Sequence, residues 1–159
     1  MFLLASDLLK KNGYEHYEIS NYAKTGFESK HNLKYWNFNE YLGFGPGAHS
    51  FINGERFYNK KDINKYLKYE NEIVYDNRNK TDMEKEFILT SLRLLDGFSM
   101  NNYITILNEE MNPDLLENLN GEVEKGNIIK YKKNNIEHFK INEKRILFFD
   151  TIIYNICDF

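Results

Sequence analysis

Leucines at positions 3, 4, 8 and 9 fall at helical spacing and predict a helix over residues 2–12, with Gly13 where a left-handed cap belongs. Tyr14 to Ile19 reads as a strand with Tyr17 and Ile19 on one face, and the polar stretch from Ser20 to Lys30 as a loop. A short helix over His31–Trp36 would put His31 and Tyr35 on one side, four residues apart. The segment GFGPGAHS, residues 43–50, is too glycine-punctuated for regular helix. Beyond it, Phe51-Ile52 and Arg56-Phe57 flank Asn53-Gly54, a strong hairpin signal, and Asp62 can cap a helix to about Glu70.

The pattern changes near residue 76. The polar run Asp76–Lys80 is the expected linker between a first segment, 1–76, and a second, 77–159. Thr81 with Glu84 makes a capping box for a helix that buries Met83, Phe87, Ile88, Leu92, Leu94 and Leu95 and ends at Gly97. Ser99 starts a helix through Tyr103, Ile104 and Leu107, and Asn112-Pro113 starts another, striped by Leu115, Leu116, Leu119 and Val123 and ending at Gly126. Strands 128–132 and 136–141 follow, joined by Lys133-Asn134-Asn135, and a closing helix runs from about Asn142 through Ile146, Ile153 and Ile156. Three helices, a hairpin and a closing helix form a winged-helix-like unit, so the class is α+β.

Composition narrows the function classes. With 159 residues, 42% hydrophobic and 28% charged, the chain can bury one core, or a core plus an appendage. Aromatics at 16% and only two prolines argue against a long disordered tail. A net charge of −3 gives the whole molecule no attraction for nucleic acid or anionic membrane. No apolar run approaches the ~18 residues of a bilayer span. At the start, the cationic residues follow the apolar ones, the reverse of a secretory signal, so a cytoplasmic location is expected. One cysteine, Cys157, excludes an internal disulfide and any all-cysteine zinc or iron–sulfur site within one chain.

Few residues carry candidate chemistry. GFGPGA resembles a phosphate-cradling loop only superficially: Pro46 removes an amide donor, and a hairpin follows where such a loop needs a helix. The other reading is a tight crossing where only glycine fits. His16 and His138 fall in strands and are expected to pack or face solvent. His31, in HNLKYW, sits beside large aromatics. A neutral imidazole can ligate iron or zinc and flat rings can line a macrocycle, so ligation stands beside a plain aromatic cluster. His49, after the glycine run, is open to the same two readings. Residues 125–145 are locally basic, but the preceding helix carries Asp114, Glu117, Glu122 and Glu124, which repel phosphate, so the hairpin reads as a solvated face.

Three segments, in order, resemble one family. They are GYEHYEISNYAKTGFESKHNLKYW (13–36), YLGFGPGAHSFINGERFYN (41–59) and EKEFILTSLRLLDGF (84–98). They resemble the HemN/HemW group of radical S-adenosylmethionine (SAM) proteins, which includes oxygen-independent coproporphyrinogen III oxidases, and HNxxYW points to the HemW-type haem chaperones. The final helix, with Arg145 and Phe149-Asp150, departs most from the family. The resemblance implies the terminal elements of a radical-SAM partial (β/α) barrel, then a winged-helix-like C-terminal domain. It also implies a parent protein whose CxxxCxxC motif, absent here, holds a [4Fe–4S] cluster that binds SAM. By similarity, His31 would contact haem, with Tyr35 and Trp36 beside it, and Ala48 and His49 would lie near SAM. Implied partners are haem, an apoprotein that accepts it, and the N-terminal radical-SAM part. No nucleic acid and no integral membrane segment are expected. The chain alone would carry no catalytic residue, and residues 1–60, with open edges on strand Tyr14–Ile19, would tend to self-associate. The alternative is a non-catalytic winged-helix module that binds protein or nucleic acid.

Overall fold

The computed structural model describes residues 1–158; Phe159, the last residue of the expected second segment, lies outside the described residues. The class is α+β, with three small antiparallel sheets threaded by helices. Helix α1 (Phe2–Lys11) leads into β1 (Glu15–Glu18) and β2 (Asn21–Ala23), followed by α2 (Lys30–Trp36). Strands β3 (His49–Ile52) and β4 (Glu55–Asn59) form the Asn53-Gly54 hairpin. After α3 (Ile63–Leu67), β5 (Ile73–Tyr75) adds to β4. Then come α4 (Lys80–Ser91), β6 (Phe98–Ser99), α5 (Met100–Leu107), α6 (Pro113–Glu124), β7 (Ile128–Lys133) and β8 (Ile136–Ile141). A 3-10 turn (Glu143–Phe148) leads into α7 (Phe149–Cys157), and the third sheet has the order β6-β8-β7.

Local chemistry explains most elements. Ser29, Asp62, Ser99 and Asn112 each cap the helix that follows with a side-chain oxygen, and Pro113 opens α6. Asn53 and Gly54 both take positive φ, as do Asn134 and Asn135, which matches the twist of a two-residue hairpin. That second turn draws Lys133 into β7, one residue beyond the expected strand end.

Six expectations need correction. Helix α4 stops at Ser91 rather than at Gly97: beyond it Arg93 N–H and Leu94 N–H turn back to the Thr90 and Ser91 carbonyls (both 3.2 Å). The capping box on α4 is made by Asn79 and Asp82, not Thr81 and Glu84, because asparagine caps at least as well as threonine and Asp82 returns the bond. Glu84 is buried instead, accepting from the Tyr103 hydroxyl at 2.6 Å and the Asn112 amide at 3.2 Å. The loop 20–30 contains β2, whose three residues are too few to show alternation. Helix α3 stops at Leu67, where Tyr69 turns left-handed (φ 61°) and Glu70 N–H returns to the Lys65 carbonyl. The closing helix is split, with Asn142 capping the 3-10 turn before α7 begins. Finally, β1 has no open edges: β2 covers one, and on the other Ile19 N–H reaches the Arg93 carbonyl (3.0 Å) and Leu95 N–H the Tyr17 carbonyl (3.2 Å).

One hydrophobic cluster runs from Phe38 and Phe51 through Phe87, Ile88 and Leu92 to Phe139, Ile152 and Ile156. Buried Glu122 ties α6 to the chain around it, accepting from Lys125 (2.7 Å), Asn127 (2.6 Å) and Asn155 (3.1 Å). Burial pushes its carboxyl upward, but those three donors outweigh it and hold the group below the usual range. The leucines of α1 do form a helix, yet Leu3, Leu4 and Leu8 are 65%, 74% and 61% exposed. Among the described residues no helix is long and apolar enough to cross a membrane.

Candidate functional site

Helix α2 begins at Ser29, whose hydroxyl accepts the Asn32 N–H, and it contains no fully buried side chain. Its exit is a Schellman turn: Phe38 N–H returns to the Tyr35 carbonyl (3.1 Å) and Asn39 N–H to the Lys34 carbonyl (2.8 Å). The left-handed residue of that turn is Phe38 (φ 57°), where glycine is usual. A bulky side chain there costs roughly 1–2 kcal/mol. Its ring is buried against Phe51 (centroids 5.0 Å) and Phe87 (5.8 Å), which fixes the end of α2 in the core.

His31 and Tyr35 share the outer face of α2, as their spacing requires. The Tyr35 hydroxyl lies 3.2 Å from His31 Nε2, the rings meet edge-on at 5.0 Å, and Tyr35 packs on Tyr41 at 4.4 Å. The imidazole is exposed, and Tyr35 is the one partner recorded for it among the described residues. Trp36 lies under the guanidinium of Arg93, 4.5 Å from the ring centroid. Tested as a haem ligand, His31 offers a reachable nitrogen, and Tyr35 can hold the ring and its tautomer. A macrocycle has no enclosure here. The space lined by Tyr35, Phe38, Tyr41 and Phe51 is about 40 Å³, room for a water. The donor fits; any haem held there would lie on an open face.

The glycine run is a crossing. Gly43 N–H donates to Ser50 Oγ (3.0 Å), Gly45 N–H to the Tyr66 hydroxyl (3.0 Å), Gly47 N–H to the Asn59 carbonyl (2.8 Å) and Ala48 N–H to the Gly45 carbonyl (3.2 Å). With these amides engaged, the loop has no cradle for phosphate. A Cβ on Gly43 would sit 2.2 Å from the His49 carbonyl oxygen, which is why glycine stands there. The Ala48 carbonyl accepts from Asn59 N–H (3.0 Å), so neither backbone group of Ala48 is idle for SAM. His49 is exposed on β3, its ring 4.9 Å from Tyr58, and it makes no recorded contact with His31.

The other expected features are structural. His16 stacks on Tyr22 at 4.1 Å with Nε2 at the Ile19 carbonyl, and burial lowers its pKa. His138 stacks on Tyr131. Lys130 pairs with Glu137 (3.2 Å), and Lys140 lies over Tyr131. Cys157 is buried, which pushes its thiol up to about 11. Among the described residues no three His, Cys, Asp or Glu side chains are arranged to hold a metal. The sequence reading missed Glu18 and Arg93. For Arg93 the available signal was a charge within the apolar run 87–95; Glu18 had none, because β1 reads Glu-His-Tyr-Glu.

No family model matches the chain. The haem chaperone HemW of Buchnera aphidicola subsp. Schizaphis graminum is 33% identical over 163 aligned positions, covering 96% of this chain and 41% of that protein. HemW of Haemophilus influenzae is 42% identical over 104, covering 61% and 27%. HemW of Lactococcus lactis is 48% identical over 68, covering 43% and 18%. Among solved structures, Escherichia coli coproporphyrinogen III oxidase (HemN), described as a radical SAM enzyme, superposes with a TM-score of 0.67 over 98% of this chain and 39% of that one. At 13% identity the likeness speaks for the fold alone. The chain spans about two fifths of the length of the relatives that align over nearly all of it. It is a homologue of the HemW haem chaperones over about two fifths of their length, and its fold matches part of HemN.

Proposed function

We propose that the chain is the C-terminal part of a HemW-like radical SAM protein, and that α2 presents His31 to haem for transfer to an apoprotein. The observation that carries this reading is the exposed imidazole with Nε2 against the Tyr35 hydroxyl, on the helix bearing HNxxYW. When bound, haem would supply an iron that the neutral imidazole of His31 could ligate. The chain's own residues do the orienting: Tyr35 fixes the ring, Tyr41 braces Tyr35, and Phe38 anchors the helix. The open face suits a carrier that must hand its cargo on.

In this reading residues 1–76 are the last barrel elements and 77–159 a winged-helix-like domain, with α4, α5 and α6 followed by the β7–β8 wing. The cluster thiolates and most SAM contacts belong to the rest of the family polypeptide. Ala48 and His49 form at most the SAM-facing edge, through the methyl and the exposed ring, and no chemical step is assigned to them. The exposed leucines of α1 are the surface that the rest of the polypeptide covers, or that a second copy covers when the chain is alone. The acidic residues of α6 speak against a nucleic-acid-binding module.

Hemin titration tests the haem assignment. The wild type should give a shifted Soret band that His31→Ala weakens and His49→Ala largely spares; equal spectra for wild type and His31→Ala would leave the aromatic-packing reading in possession. For self-association, light scattering should find an oligomer that Leu4→Glu combined with Leu8→Glu returns to monomer. A wild type monomeric at every concentration refutes that part.

A further inference from the structure

We infer that Arg93 is the positioning residue of α2: its guanidinium holds Trp36 by one face and so sets where the helix presents His31. The inference rests on the haem reading for its purpose, though not for its geometry. Because α2 has no fully buried side chain, its placement depends on what grips its flanks. The Ser29 end is held by its N–H on the Tyr17 hydroxyl (3.3 Å), and the far end by Phe38. The inner flank is held by Arg93 on Trp36, 4.5 Å from the ring centroid. Arg93 reaches further than α2: it lies 5.6 Å from the Phe149 centroid on α7, donates to Ser20 Oγ at 3.1 Å, and has Nη2 3.7 Å from Glu18 Oε2. One side chain thus joins α2, the β1–β2 hairpin and α7.

The grip is a cation over an aromatic ring and a charge pair rather than a saturated hydrogen-bond network. Glu18 is fully buried; its Oε1 accepts from the Asn21 amide, while Oε2 has no hydrogen bond. Arg93 Nε and Trp36 Nε1 are also buried without partners. Three of the four such side-chain atoms found among the described residues therefore fall on this one unit. Unpaired buried polar atoms are costly and call for an explanation. Here the guanidinium carbon lies over the indole, 4.5 Å from its centroid, and Nη2 faces the Glu18 carboxylate at 3.7 Å. A lysine keeps the charge but has no plane to stack. Trp36 and His31 ride on one short helix, so releasing the indole displaces the imidazole.

Trp36 is the only tryptophan in the chain, so its fluorescence reports this helix without haem. Arg93→Lys and Arg93→Ala should red-shift the emission while circular dichroism still shows a folded chain, and hemin should bind about tenfold more weakly. Leu119→Ala, a core truncation in α6, serves as the control for general destabilisation. If Arg93→Ala does not fold, Arg93→Lys alone decides. Unchanged emission and unchanged hemin affinity in Arg93→Lys overturn the inference, and so does an equal red shift in Leu119→Ala. If the emission shifts but the wild type binds no hemin, Arg93 still positions α2 and the haem reading is what falls.

Discussion

Gly97→Ala should lower stability by about 3 kcal/mol or more, a large share of the ~5–15 kcal/mol that holds a typical domain together. Gly97 lies between the end of the α4 region and β6, with φ +67°, and its N–H bonds the Leu94 carbonyl at 2.9 Å. An added Cβ would sit 1.9 Å from the Phe139 carbonyl oxygen and 2.7 Å from Lys140 Cα. These are backbone atoms of β8, which cannot swing aside as a side chain can. The left-handed conformation adds roughly 1–2 kcal/mol for any residue with a Cβ. Relieving the clash means pulling β6 away from β8, which unpairs Phe98 from Phe139 and Ser99 from His138 and disturbs the Ser99 cap on α5. Gly126→Ala is the comparison. Gly126 has a similar φ of +72°, but nothing lies within 4 Å of its added Cβ, so only the conformational cost applies. Urea unfolding should place the Gly97→Ala midpoint well below that of Gly126→Ala. Equal midpoints would mean that β6 and β8 do not pass as closely as described.

The contrast between these two glycines also marks what a sequence can convey. Both read as helix-ending glycines; only tertiary structure says which one has another backbone lying against it. Elements governed by neighbours in sequence were legible: the caps at Asp62, Ser99 and Asn112, the turn at Asn53-Gly54, and the i,i+4 meeting of His31 with Tyr35. Elements created by a distant partner were not. β5 and β6 have three and two residues, too few for any periodicity, and exist because β4 and β8 lie beside them. The α1 leucines gave the helix but not its environment, because spacing says which residues share a face and not whether anything covers it. The same limit divides the site. The outer face of α2 could be read from HNLKYW, while the inner face is set by Arg93 and Glu18, which come from other parts of the chain.

Phe38→Ala should cost about 3–4 kcal/mol, near the usual range for truncating a buried phenylalanine. The ring leaves a hole between Phe51 and Phe87, and α2 loses the side chain that pins its C-terminal end. Phe38→Gly gives the more discriminating result. At most positions glycine is less stable than alanine, because the unfolded chain gains freedom. At φ 57° the order should reverse: alanine keeps the left-handed strain that phenylalanine bears, and glycine removes it. Phe38→Gly should therefore unfold at higher denaturant than Phe38→Ala by up to about 1 kcal/mol, with both well below wild type. Hydrogen exchange should locate the damage. Amides of 33–39, including those closing the Schellman turn, should lose protection in both variants, while α4 beyond Phe87 keeps most of its own. If alanine proves the more stable of the two, Phe38 is not held left-handed in solution. The picture of α2 as a short helix clamped by a strained aromatic at its exit and by Arg93 along its flank would then lose its first clamp.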